Sequence, residues 1–275
     1  MNIVIVDYLN AWPYRKSLEF LRDAKMPAFE SLKIFPDIPS KLASRLLEGK
    51  LDLALISSIE YWRHREQLQF LPTFCIAAHA EVQSIRLITS KDNAERSFEE
   101  ALALIDTIYC DIATRSSQAM LLYLYTTLGL KLPRIQIIDP VQYMPESRGL
   151  TDYEGFLTIG DIALNKRYEP SFDLGSEYNT ITERSFVYAL WCFPSTTNES
   201  KRQALNALLR LALERSDSDS EIFTTAAEKY PYPVEFIQFY LQELIVYELN
   251  DDLIHDMNVF FENAPEPPVE LPFGS

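Results

Sequence analysis

The sequence predicts an α/β fold with mixed, mostly parallel sheets and a helical C-terminal segment. Short apolar segments rich in β-favouring residues alternate with segments of helical periodicity up to about residue 193. No repeat of fixed period occurs, which excludes solenoids and propellers. From Lys201 to about Ala264 the pattern is helical, with a break at the acidic-serine stretch 216–220.

The N-terminal segment contains an informative strand-to-helix junction. Residues 3–6 are the β-favouring aliphatics of a short buried strand. Apolar residues recur at helical spacing from Tyr14, and Pro13 suits the first turn of that helix, where its missing N–H would have no partner. Asn10 is therefore expected at the carboxyl end of a first strand, where open α/β sheets bind ligands.

The remaining elements follow in order. We expect strands at 32–35, 51–56, 68–76, 79–89, 107–111, 155–159 and 182–193. Helices are expected around 42–47, 59–62, 98–105 and 118–128, and residues 135–143 are typical of a further strand–helix unit. Period-two alternation in 79–89 predicts that Ser84 and Arg86 face the same side of their strand.

Composition limits the classes of partner. The chain has 40 acidic and 25 basic residues, a net charge of −15. Nucleic acids and anionic membranes both require a basic face, so neither is an expected partner, whereas a small anion in a locally positive site is compatible. The N-terminus resembles no secretory signal, and no apolar run approaches the roughly 18 residues of a membrane span. We therefore expect a cytoplasmic protein.

The sequence predicts neither a metal nor a nucleotide cofactor. The three histidines are distant from one another, and the 7 glycines form no phosphate-binding loop. No Gly-x-Ser-x-Gly elbow is present either, which weakens a serine hydrolase interpretation. The three cysteines are widely separated in apolar runs and are expected to be reduced core residues.

Small polar residues follow several of the predicted strands and are the candidate site residues. They are Asn10, Ser57, Ser58, Ser84, Thr114, Arg115, Ser116, Ser117, Gly160 and Asp161, together with Arg86. Segment 114–117 is the most telling, because free backbone N–H groups at a helix start, hydroxyls and a guanidinium form an anion site. Structural alternatives remain open: Asn10 and either Ser116 or Ser117 could be helix caps, and Arg86 could pair with a surface acid such as Glu81.

Seven segments occur in an order that matches one known family. They are 8–11 with Pro13, 46–61, 81–84, 114–117, 159–164, 173–175 and 186–191. In this order they resemble the chorismate dehydratase family of the futalosine route to menaquinone, over nearly the whole chain. The resemblance implies a two-lobed, type 2 periplasmic-binding-protein-like fold, with residues 1–87 plus 188–275 in one lobe, 88–187 in the other and a ligand cleft between them.

The resemblance also implies a function. The activity would be that of a cofactor-free lyase converting chorismate, a small dicarboxylate, into 3-[(1-carboxyvinyl)oxy]benzoate. Asn10 matches the catalytic asparagine of the family and Ser84 a serine that contacts substrate. The hydroxyls and amides of 114–117 would bind a carboxylate, and Asp161 would order the neighbouring strand end.

Three departures from the family pattern accompany these matches. Ala80 replaces a usual glycine, Arg86 replaces a common aliphatic, and residues 182–185 place two charges near the expected hinge. Two other functions stay open: a cytosolic small-anion sensor of the same fold without catalysis, and a related enzyme for another aromatic or enolpyruvyl acid.

Overall fold

The chain divides into two compact units. The computed structural model describes residues 1–24, 32–36, 42–111, 113–138, 149–165, 170–219 and 221–265. The first unit comprises Met1–Ala78 and Val187–Ile254, and the second comprises His79–Phe186 with the chain from His255. The family resemblance implies a division at residues 87 and 187, with the whole C-terminal segment in the first lobe.

Aromatic packing explains why the end of the chain belongs to the second unit. Phe260 is buried, and its ring lies 4.8 Å from that of Phe186 and 5.5 Å from that of Tyr123. Edge-to-face aromatic contacts of this kind add to the stabilisation that apolar burial provides. Local sequence patterns do not reveal this contact, because it joins residues far apart in sequence.

Each unit is built on one sheet. The strands are β1 (Asn2–Ile5), β2 (Lys33–Pro36), β3 (Leu53–Ser57), β4 (Leu68–Ala78), β5 (Ile85–Ile88), β6 (Thr107–Asp111), β7 (Arg134–Ile138), β8 (Glu154–Ile159), β9 (Ser171–Asp173), β10 (Phe186–Pro194) and β11 (Val246–Glu248). The first sheet has the order β11-β4-β10-β3-β1-β2, and the second has the order β7-β6-β8-β5-β9.

Strand directions are mixed in both sheets. In the first, β1 is parallel to β2 and β3, whereas β10 is antiparallel to β3 and β11 to β4. In the second, β6 is parallel to β7 and β8, whereas β5 is antiparallel to β8 and β9. The α/β class with mixed sheets is confirmed. The expected parallel majority is not confirmed, because these registers contain as many antiparallel as parallel pairings.

The helices follow the predicted order. They are Trp12–Asp23, Leu42–Leu47, Ser58–Arg63, Phe98–Leu104, Arg115–Thr127, Gly160–Ala163, Leu174–Thr182, Glu199–Ser218, Glu221–Lys229, Val234–Phe239 and Asp251–Asn263. A 3-10 turn at Leu9–Ala11 and a π-helical turn at Tyr240–Leu244 add to them. The end of the 135–143 unit and the residues after 265 lie outside the described residues.

β11 and the strand expected at 79–89 differ from the sequence prediction. β11 lies in a stretch expected to be helical, because Val246 and Glu248 pair with Ala77 and Phe74 of β4. The strand expected at 79–89 is restricted to β5, since Gln83 has a φ of 57° and breaks the extended backbone just before it. Ser84 lies before β5, so period-two alternation does not determine which way its side chain faces relative to that of Arg86.

Candidate functional site

Asn10 lies in the Leu9–Ala11 turn that follows β1. The turn is closed by the Ala11 N–H, which donates to the Tyr8 carbonyl at 3.0 Å. A second bond comes from far along the chain: the Tyr247 hydroxyl donates to the Asn10 carbonyl at 2.9 Å. The next helix has Ala11 at its N-cap with no side-chain bond, so the helix-cap alternative for Asn10 is wrong.

The Asn10 side chain has an unsatisfied acceptor. Its Oδ1 is buried and has no hydrogen-bond partner among the described residues. A buried amide oxygen left unpaired costs about 1–3 kcal/mol, which a ligand hydroxyl donating to it would recover. This side chain is thus available for a ligand and does no identified structural work.

Ser57 and Ser58 lie at the same sheet edge as Asn10. β1 and β3 are parallel neighbours, with Ile3 opposite Leu53, so their carboxyl ends share one edge. Ser57 is the N-cap of the helix Ser58–Arg63, and its hydroxyl accepts from the Glu60 N–H at 3.4 Å. Ser57 therefore has a structural role, and Ser58 is fully buried.

A charged cluster adjoins this edge and was missed by the sequence interpretation. The Asp7 carboxylate, just after β1, accepts from Arg15 and from Lys229. Burial raises the pKa of Asp7, but the hydrogen bond from Lys229 and the charge of Arg15 outweigh it, so the pKa lies below its usual value. The 222-residue separation of Asp7 and Lys229 leaves no local pattern that could reveal the pair.

In the second unit Ser84 and Gly160 are direct neighbours. Ile85 of β5 faces Ile159 of β8, and the Gly160 N–H donates to the Ser84 carbonyl at 2.8 Å. Asp161 follows at once in the first turn of Gly160–Ala163. Ser84 is also buried. The strand pairing and the backbone bond bring these three predicted residues together at one edge of the second sheet.

Segment 114–117 lies at that same edge. β6 is parallel to β8, with Cys110 opposite Leu157, so the residues after β6 emerge beside those after β8. Thr114 is the N-cap of the helix Arg115–Thr127, and its hydroxyl donates to the Asp111 carbonyl at 2.6 Å. Ser116 and Ser117 lie within the first turn, both buried, so the alternative that one of them is the N-cap is wrong.

Arg86 lies within β5, between Thr158 of β8 and Asp173 of β9. It is half-buried. Glu81, its suggested surface partner, accepts from the Gln83 side-chain amide at 2.8 Å. The position places Arg86 two residues into the strand that starts next to Ser84.

The segment with two extra charges has local partners. Arg184 pairs with Asp256 at 3.1 Å, and the Ser185 N–H donates to the same carboxylate at 2.9 Å. The Ser185 hydroxyl lies 3.0 Å from Nδ1 of His79. Glu183 ends the helix Leu174–Thr182 in a left-handed conformation with φ 57°. The departure from the family pattern is thus accommodated within the second unit.

The cysteines are free and buried, as predicted. Burial raises the pKa of Cys110 to about 11, so this thiol near Thr114 is protonated at neutral pH and is no nucleophile. Across the described ranges, no group of three or more His, Cys, Asp or Glu side chains could hold a metal ion. Within those ranges no helix is long and apolar enough to cross a membrane.

The candidate residues thus form two sets, one at a sheet edge of each unit. The first contains Asn10, Ser57 and Ser58, and the second contains Ser84, Thr114, Arg115, Ser116, Ser117, Gly160 and Asp161. Amides, hydroxyls and helix N–H groups dominate both sets. Such groups bind carboxylates and hydroxyls without the repulsion that a row of acids would exert on an anion.

Comparisons with known proteins find relatives in sequence and in fold. A chorismate dehydratase from Thermus thermophilus is 26% identical over 208 residues, covering 68% of this chain and 71% of that protein. A structure from Archaeoglobus fulgidus matches with a TM-score of 0.70 at 8% identity, covering 95% of each chain. The periplasmic aliphatic sulphonate binding protein of Escherichia coli matches with a TM-score of 0.65 at 15% identity, covering 97% of this chain and 94% of that one.

The structural matches establish the periplasmic-binding-protein-like fold that the resemblance implied. The family model described as menaquinone biosynthesis matches residues 1–266. The chain therefore belongs to the menaquinone biosynthesis family.

Proposed function

We propose that this protein is a lyase that removes water from chorismate to give 3-[(1-carboxyvinyl)oxy]benzoate, without a cofactor. The similarity to a chorismate dehydratase from Thermus thermophilus supports the substrate. The observation that carries the proposal is the buried amide oxygen of Asn10, at the carboxyl edge of the first sheet, for which the described part of the chain offers no partner. An amide acceptor in that position fits a ligand that bears hydroxyl groups.

The reaction needs orientation more than strong acids or bases. A ring C–H bond and the C–O bond of the allylic hydroxyl break, the C–H electron pair becomes part of the aromatic ring, and the proton and hydroxide leave as water. Aromatisation supplies the driving force. The substrate's own side-chain carboxylate can accept the ring proton, so the protein has mainly to hold the dianion in a fixed conformation.

Asn10 is proposed to bind the reacting ring. Its Oδ1 accepts from a substrate hydroxyl and its amide N–H donates to the oxygen that departs, which stabilises developing charge. The Tyr247 hydrogen bond and the Ala11–Tyr8 bond fix the turn that carries it. A fixed amide loses little orientation entropy when the substrate binds.

The second set is proposed to bind the carboxylates and position the ring. Ser84 contacts the substrate, and the backbone amides at the start of Arg115–Thr127, with Thr114, Ser116 and Ser117, bind a carboxylate. Arg115 and Arg86 contribute positive charge. Asp161 orders the Gly160 turn, since an ionised carboxylate against a dianion would be costly as a direct contact.

Incubation of the purified, chelator-treated chain with chorismate tests this function. We expect the ring-proton signals of chorismate to be replaced by aromatic signals in NMR, with a product mass equal to chorismate minus one water. Binding of chorismate without loss of water would instead identify the small-anion sensor of the same fold. Activity that disappears with the chelator and returns with a metal would refute the cofactor-free mechanism.

A further inference from the structure

The residues just before Ser84 form a tight, strained turn. The Ser84 N–H donates to the Val82 carbonyl at 2.6 Å, which closes a three-residue turn around Gln83. Gln83 has a φ of 57°, and a non-glycine residue with positive φ at the centre of such a turn is uncommon and strained. A strained turn persists only where the surrounding structure over-determines it.

The carboxylate of Asp173 holds this turn in place. Asp173 Oδ2 accepts from the Gln83 N–H at 2.5 Å, and both of its oxygens lie 3.3 Å from the Val82 nitrogen. Its Oδ1 also accepts from the Ser176 N–H at 2.9 Å and so caps the helix Leu174–Thr182. Three backbone N–H groups from two separate segments thus converge on one side chain.

The hydrogen bonds from Val82 and Gln83 to Asp173, which form a clamp on the turn, lie next to the candidate site. Asp173 is the last residue of β9 and faces Arg86 of β5, two residues after Ser84. Burial raises the pKa of Asp173, against the opposing effect of the backbone hydrogen bonds. A carboxylate is therefore kept here at an electrostatic cost, although a serine would suffice as a helix cap.

We propose that Asp173 is a positioning residue, which holds the Val82–Gln83 backbone in its left-handed turn and thereby sets the position of Ser84. It acts through that backbone and need not touch the substrate. The catalytic part of this inference rests on the proposed function, whereas the structural part does not. Only a carboxylate offers two acceptor oxygens to the turn and the helix at the same time.

Substitution by serine separates the two roles of Asp173. Asp173→Ser retains a good N-cap for Leu174–Thr182 but cannot reach the Gln83 amide as well. We expect a melting temperature within a few degrees of wild type, amide exchange at Val82 and Gln83 faster by at least about tenfold, and kcat/KM for chorismate lower by about 10- to 100-fold.

Asp52→Asn is the matched control. Asp52 also accepts a backbone N–H, from Asn2 at 2.7 Å, but it lies before β3, away from the candidate residues. Asp52→Asn should leave kcat/KM and the exchange of Val82 and Gln83 unchanged, whatever it does to stability.

The exchange measurement stands even if chorismate is not the substrate. Unchanged exchange at Val82 and Gln83 in Asp173→Ser would overturn the clamp itself. Faster exchange with full activity, in a chain whose wild type dehydrates chorismate, would overturn the positioning of Ser84. A wild type without activity would count against the proposed function alone.

Discussion

Tyr247→Phe tests how the Asn10 turn is held. The substitution removes only the hydroxyl that donates to the Asn10 carbonyl at 2.9 Å. The aromatic ring stays and keeps its edge-on contact with Tyr14, 5.5 Å between centroids. The bond from the Tyr14 hydroxyl to the Tyr247 carbonyl, 3.1 Å, is unaffected because it involves the backbone. The change therefore removes this hydrogen bond while these ring and backbone contacts of Tyr247 stay.

The size of the effect follows from that single bond. Loss of a neutral, partly buried hydrogen bond costs about 1 kcal/mol of unfolding free energy. For a chain of 275 residues this lowers the melting temperature by about 2 °C. If the same free energy is lost in the transition state because Asn10 is held less firmly, kcat falls about fivefold.

Tyr109→Phe provides the control. The Tyr109 hydroxyl donates to Glu154 at 2.8 Å, and a bond to a carboxylate costs about 1.5–3 kcal/mol when removed. This variant should lose at least as much stability by thermal denaturation while its kcat for chorismate stays at the wild-type value. A Tyr247→Phe chain that is destabilised as expected but turns over chorismate at the wild-type rate would contradict a role of this bond in holding Asn10 for catalysis.

Two further predictions concern Ser84 and Asp7. Ser84→Ala should raise KM and lower kcat/KM for chorismate. The control Ser97→Ala removes a helix cap, whose hydroxyl accepts from the Glu100 N–H at 3.3 Å, and should cost about 1 kcal/mol of stability in chemical denaturation with activity retained. Equal kinetics in the two variants would show that Ser84 is not part of the site. Because the folded pKa of Asp7 lies below its unfolded value of 3.8, its contribution to stability is present above that value and is lost as the pH falls through the folded pKa. Asp7→Asn should therefore be less stable than wild type at neutral pH and approach it in strong acid, and a difference that persists undiminished in acid denaturation would contradict the pKa shift.

Local patterns were sufficient to predict most of the fold. β6 was predicted at its observed bounds, and β1, β3 and the helix Trp12–Asp23 nearly so, because apolar periodicity directly reflects burial on a sheet or helix face. β11 was missed, because three residues become a strand only through pairing with β4, which lies some 170 residues earlier.

The candidate site shows the same division between local and distant information. Asn10 and Thr114 could be selected because small polar residues follow apolar strands, and the registers of β3, β6 and β8 assign them and Ser84 to the two sheet edges. Tyr247 and Asp173 could not be assigned roles, since their hydrogen bonds join segments 237 and 90 residues apart. The left-handed turn at Gln83 had no glycine to signal it.

The most direct test of the account is Asn10→Ala measured beside Asn198→Ala. Asn10 Oδ1 has no partner among the described residues, so its removal should not lower stability, whereas Asn198 caps the helix Glu199–Ser218 through a 2.9 Å bond from the Lys201 N–H. We predict that Asn10→Ala forms 3-[(1-carboxyvinyl)oxy]benzoate from chorismate about 10²–10³ times more slowly, with a melting temperature no lower than that of wild type. Asn198→Ala should lose about 1 kcal/mol of stability and keep its rate. Wild-type turnover by a folded Asn10→Ala chain would contradict the central claim.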